Sequence, residues 1–194
     1  MKFIIATNNP GKLREMREIL SQQGFDAVSP SDAGIDIQID ETGATFRENA
    51  LLKAQAICGI SKLPAIADDS GLAVEALGGE PGVYSARYGG DIDNTARNAL
   101  LLNNMKDMEQ RAAKFVCSII CLFPDGRQIS AEGECHGEIS HEPRGDGGFG
   151  YDPVFIPNGM NKTMAELTSK EKNEISHRGK ALDILSRELK RTVV

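Results

Sequence analysis

Apolar positions along this chain recur in two rhythms, and the switches between them mark its elements. Lys2-Phe3-Ile4-Ile5-Ala6-Thr7 runs straight into Asn8-Asn9-Pro10-Gly11-Lys12, the pattern of a buried strand entering a tight polar loop. Leu13, Met16, Ile19 and Leu20 then return every third or fourth residue, and Gly24 stands just beyond them, which predicts a helix and its stop. Phe25 to Ser29 reads as a second strand. Thr45 with Glu48 three residues later is a capping box and opens a helix to about Cys58. Its apolar face is Phe46, Ala50, Leu51, Ala54 and Ile57, with Asn49 and Lys53 on the other side. Ala65-Ile66-Ala67 predicts a strand that stops at the turn signal Asp68-Asp69-Ser70-Gly71, after which Leu72-Ala73-Val74 begins a new apolar stretch.

Further along, Asn94 to about Lys106 is helical, presenting Ala96, Leu100, Leu101 and Met105. Phe115 to Phe123 is a strand that Pro124-Asp125-Gly126 turns back into Gln128 to Ala131, a hairpin. Thr168 and Glu171 form another capping box, a break follows near Ser176, and Leu182, Leu185 and Leu189 carry a last amphipathic helix to the end.

Bulk properties narrow the class. The 194 residues suit one domain, 1–194, with no evident linker or repeat. With 40% apolar and 26% charged residues the chain is ordinary globular. The net charge of −6 argues against binding nucleic-acid polymers, so an anionic ligand needs a local basic cluster or a metal. No apolar run suits a signal peptide or a membrane span, and a cytoplasmic location is expected. Cys58, Cys117, Cys121 and Cys135 have no metal-knuckle spacing. Cys117 and Cys121 would share a strand face about 13 Å apart, too far for a bridge, so buried free thiols are expected.

Four stretches carry candidate chemistry. The strand–loop–helix from Lys2 can offer helix N-terminal amides to phosphate, with Thr7 and Asn9 as side-chain donors. Lys12 there opposes the helix dipole and implies an anionic partner. Asp68 and Asp69 are acceptor-rich neighbours, each raising the other's pKa unless solvent or a cation such as Mg2+ intervenes; a solvated turn is the alternative. Gly145 to Pro153 holds a formal G-x-G-x-x-G match without the strand-before, helix-after context of a dinucleotide fingerprint. Its glycines still allow close backbone approach, and Phe149 offers a face to a base. Lys172, His177 and Arg178 make a donor cluster near a helix start, while His136 and His141 read as solvent-facing.

In order and at fitting spacing, Thr7–Lys12, Thr45-Phe46-Arg47-Glu48-Asn49-Ala50, Ala67–Leu72, Gly147–Pro153 and Ser176-His177-Arg178 resemble the inosine/xanthosine triphosphate pyrophosphatase (Ham1-like) family. The resemblance implies a two-lobed α/β fold with a long twisted mixed sheet flanked by helices, an active site in the cleft between the lobes, and a homodimer. It implies a Mg2+-dependent enzyme splitting deaminated purine nucleoside triphosphates (ITP, dITP, XTP) to monophosphate and pyrophosphate. By position, Thr7, Asn8, Asn9, Pro10, Gly11 and Lys12 are the triphosphate loop, supported by Lys53. Asp69 is the general base and a metal ligand, Asp68 its helper, and Glu41 a further ligand with Asp40 as alternative. Ser70 contacts substrate, and Phe149, Gly150, Tyr151, Asp152, Lys172, His177 and Arg178 recognise the base. Competing readings are a Maf-type pyrophosphatase for pyrimidine or modified nucleotides, against which Ser-His-Arg and Gly-Gly-Phe-Gly-Tyr-Asp argue, and a non-catalytic nucleotide-binding module.

Overall fold

A computed structural model describes residues 2–192. It is a mixed α/β fold with a six-stranded sheet in the order β2-β1-β3-β4-β5-β6. The strands are β1 (Lys2–Ile5), β2 (Asp26–Val28), β3 (Ala65–Val74), β4 (Ala112–Leu122), β5 (Gln128–Ile139) and β6 (Phe155–Pro157). The helices are α1 (Pro10–Gln22), α2 (Phe46–Ser61), α3 (Asn94–Asn104), α4 (Ser169–Ile175) and α5 (His177–Thr192). Two compact units share the chain: the first takes the residues up to Asp69, Cys117–Gly133 and those from Arg178, the second Ser70–Val116 and Glu134–His177.

In the first unit β1 pairs in parallel with β2, Phe3 opposite Ala27, and with β3, Ile5 opposite Ile66. Side chains alternate across such strands, so each face needs its own cover. Phe3, Ile5 and Ile66 pack with Met16, Ile19 and Leu20 of α1 and Leu182, Leu185 and Leu189 of α5. Ile4, Ala6, Ala65 and Ala67 pack on the opposite face with Ala50, Ala54 and Ile57 of α2. The second unit has its own core, where Leu72, Val74, Leu101, Met105, Phe115, Val154 and Phe155 meet. There β5 pairs antiparallel with β6, Gly137 opposite Pro157. Gly137 has no room for a side chain: a Cβ would lie 2.1 Å from the Ile156 carbonyl oxygen.

Both capping boxes, Thr45/Glu48 and Thr168/Glu171, form as the pattern predicts, and Ser176 separates α4 from α5. The second arm of the hairpin runs on to Ile139, well past the apolar residues that signalled it. The largest departure is β3. Asp68-Asp69-Ser70-Gly71 is not a turn; the strand continues through it unbroken. Turn propensity is a local preference, and here tertiary partners for both carboxylates override it. No helix among the described residues is long and apolar enough to cross a membrane, and all four cysteines are buried free thiols.

Candidate active site

Asn9 caps α1, its side-chain oxygen accepting from the amides of Gly11 (2.9 Å) and Lys12 (3.1 Å), with Pro10 in the first turn. Thr7 Oγ1 accepts from the Asn9 amide at 3.2 Å. The cap therefore takes two of the amides expected to face phosphate. Asn8 is exposed, and with Thr7 and Pro10 it lines a surface cavity of about 600 Å3. Lys12 has its anion within the chain: its ammonium lies 3.2 Å from Asp68 Oδ2 and 3.9 Å from Asp69 Oδ1.

Because β3 continues through Asp68 and Asp69, the two carboxylates leave opposite faces of the strand. Asp68 shares the face of Ile66, towards α1 and α5. There Arg178 donates to its Oδ2 from Nε (3.2 Å) and Nη2 (3.1 Å), and from Nη1 to Glu15 at 2.6 Å. Arg178 is only 2% exposed. Burial alone would raise the Asp68 carboxyl, but Lys12, Arg178 and Lys53 outweigh it and hold it far below the usual range. Burial likewise works against the Arg178 charge, and Asp68 and Glu15 overcome it and raise its pKa.

Asp69 shares the face of Ala65 and Ala67, towards α2. The Asn49 amide donates to its Oδ2 at 3.0 Å, and Asn49 in turn accepts the Gly43 N–H at 2.8 Å. Lys53, one helical turn on, lies 3.6 Å from Asp69 Oδ1 and 2.7 Å from Glu41 Oε1. Burial raises the Asp69 carboxyl above its ordinary value, with Lys53 and Lys12 opposing only in part. Adjacent residues of one strand are thus set in opposite directions, one kept ionised and one brought closer to accepting a proton.

The remaining sequence-predicted residues lie in the second unit. Asp152 Oδ2 accepts the Phe149 amide at 2.7 Å and holds the buried Lys172 ammonium at 2.5 Å. That ammonium sits 4.7 Å from the Phe149 ring centroid, a cation–π contact. His177 is buried with its ring stacked on Phe115, centroids 4.7 Å apart. Tyr151 is 4% exposed, and its hydroxyl donates to the Ser85 carbonyl at 2.9 Å; burial keeps that hydroxyl protonated by pushing its pKa up. Ser70 is half-buried at the start of this unit.

The model of the Ham1 family matches residues 3–188. The chain belongs to the Ham1 family. The dITP/XTP pyrophosphatase of Bacillus subtilis is 50% identical over 187 residues, covering 95% of this chain and 94% of that one. The dITP/XTP pyrophosphatase of Escherichia coli K12 is 49% identical over 189 residues, covering 95% of each. The solved Ham1 protein of Staphylococcus aureus superposes with a TM-score of 0.88 at 40% identity, covering 99% of this chain and all of that one.

Two features of this Ham1 chain escaped the sequence reading. Glu15 is buried against Arg178 although charged; the signal was its place four residues before Ile19, within the apolar stripe of α1. Asn98 and Ser85 carry no motif, and only the fold brings them to Gly150 and Tyr151.

Among the described residues no three His, Cys, Asp or Glu side chains form a ready metal cage. Glu41 and Asp69 do share one cation, the Lys53 ammonium. Two carboxylates so placed fit a hard divalent cation that takes its other ligands from outside the protein.

Proposed function

We propose that this protein hydrolyses deaminated purine nucleoside triphosphates, ITP, dITP and XTP, to the monophosphate and pyrophosphate. The observation that carries the reading is one buried carboxylate, Asp69, held by the Asn49 amide with two lysine ammoniums within 3.9 Å. Near-full-length identity to proteins named dITP/XTP pyrophosphatase supports it. Asp69 is the general base: it takes a proton from the water whose oxygen bonds to the α-phosphorus as the bond to the β-bridging oxygen breaks. Lys12 and Lys53 exchange their carboxylate partners for phosphate oxygens and hold the charge on the leaving pyrophosphate. Arg178 and Glu15 fix Asp68 from behind, and Asp68 keeps the Lys12 ammonium in place until phosphate oxygens take it over.

Mg2+ is the cation we assign to Glu41 and Asp69, and when bound it neutralises charge on the phosphate oxygens. In the second unit Phe149 stacks on the base, and the Lys172 and His177 side chains face its 6-keto group. Adenine carries an amino donor in that place, so a buried donor set to meet a keto acceptor disfavours it by about 1–3 kcal/mol. Buried free thiols accord with a reducing, cytoplasmic setting.

A panel of nucleoside triphosphates with Mg2+ tests the proposal, scoring pyrophosphate against orthophosphate. ITP, dITP and XTP should be turned over well ahead of ATP and GTP, with pyrophosphate as product and with EDTA abolishing the reaction. Orthophosphate release, or a preference for dTTP or UTP, would overturn it. Light scattering of the eluting peak tests the homodimer that the resemblance implies.

A further inference from the structure

The glycine loop that carries Phe149 is tied down from two sides by residues with no assigned role. Asn98, on α3 and 5% exposed, donates from Nδ2 to the Gly150 carbonyl at 3.0 Å. Its own Oδ1 is buried without a hydrogen-bond partner among the described atoms, a desolvation cost that an apolar residue would avoid. From the other side the Tyr151 hydroxyl reaches the Ser85 carbonyl. Ser85 is itself locked: its Oγ accepts the Leu72 amide of β3 at 2.9 Å and donates to the Gly82 carbonyl at 2.7 Å.

The loop between these ties needs holding. Gly148 and Gly150 have φ of +69° and +62°, and a Cβ at Gly148 would fall 2.0 Å from Asp152 Oδ2. Such backbone keeps one shape only when its surroundings fix it. Next to Asn98 on the same turn, Arg97 donates to the carbonyls of Tyr88 (3.1 Å), Gly90 (3.3 Å) and Ile92 (2.8 Å). The start of α3 therefore clamps two loops at once.

We propose that Asn98 and the Tyr151–Ser85 pair are positioning residues that hold the Phe149 platform in shape and thereby set affinity for the base. Tyr151 acts here through its hydroxyl on the Ser85 carbonyl, the tie that Tyr151→Phe removes while keeping the ring. The inference rests on the reaction proposed above, and its test keeps the two apart.

The full chain is compared with Asn98→Leu and Tyr151→Phe, two independent variants in case one fails to fold. Backbone hydrogen exchange across 147–153, without nucleotide, should speed up about tenfold in each, because a tie is gone. KM for ITP should rise about three- to tenfold, the worth of one hydrogen bond, with kcat changing less than about twofold. Inhibition by inorganic tripolyphosphate, which has no base, should stay within about twofold of wild type. Unchanged exchange in both variants overturns the bracing. Faster exchange with an unchanged KM for ITP overturns the effect on base affinity, and so does a parallel weakening of tripolyphosphate, which marks general loosening. A wild-type protein that leaves ITP intact sinks the proposed reaction and the role in base choice together, while the exchange data still decide the brace.

Discussion

Arg178→Met isolates what the buried triad of Arg178, Asp68 and Glu15 does for the first unit. The substitution keeps most of the side-chain volume and removes the charge. Asp68 retains the Lys12 ammonium at 3.2 Å, but Glu15 loses the guanidinium 2.6 Å away. Breaking a buried pair by deleting one partner costs about 3–5 kcal/mol, because the remaining charge stays out of water. For a chain of 194 residues each kcal/mol moves Tm by about 2–4 °C, so a fall of about 6–20 °C is expected. Urea unfolding should show a lower midpoint at unchanged slope. Adding Glu15→Leu to Arg178→Met removes the carboxylate that has lost the guanidinium and should recover most of the loss, since apolar replacement of a buried pair is often neutral. A single-variant loss under about 1 kcal/mol, or a double variant no more stable than the single, would refute the argument: the triad would then be a crowded contact without coupling.

Three further outcomes follow from the geometry. Asp69→Asn keeps the Asn49 contact isosteric yet cannot take a proton; turnover should drop by at least about a hundredfold in a pyrophosphate-release assay with Tm nearly unchanged, and near-normal activity would retire the general base. Thr45→Ala removes the cap of the helix that carries Asn49 and Lys53 and should cost about 1 kcal/mol by denaturant titration, while no loss would show that packing alone holds that end. Burial, then the neighbouring Cys58, pushes the Cys121 thiol up to about 12. At pH 8 its thiolate fraction is about one in ten thousand, so iodoacetamide should label Cys121 only after urea is added; rapid native labelling read by mass spectrometry would contradict its burial.

The helices were legible because each is written locally. Leu13, Met16, Ile19 and Leu20 repeat at helical spacing, and Thr45/Glu48 and Thr168/Glu171 satisfy their own first turns without help from elsewhere. Asp68-Asp69-Ser70-Gly71 misled because its turn propensity is also local, whereas its strand conformation depends on Lys12, Lys53 and Arg178, up to 110 residues away. Motif spacing supplied the candidate site residues as a set of types. What each touches was not legible: Arg178, expected as a donor for a base, donates to Asp68 and Glu15, and the Tyr151 hydroxyl donates to Ser85. Such pairings are long-range, and no periodicity encodes them.

The alternation along β3 makes the length of that strand a functional quantity. A single residue inserted between Ile5-paired Ile66 and Asp68 would send each acid to the opposite wall, putting Asp68 where Asn49 holds Asp69 and carrying Asp69 about 7 Å past the place where Arg178 holds Asp68. Two inserted residues would restore the walls but carry both acids about 7 Å past their lysines. The segment therefore tolerates exchange of one small apolar residue for another far better than any change in count, and the spacing of the two acids from Ala65 is as much a part of the chemistry as the acids themselves.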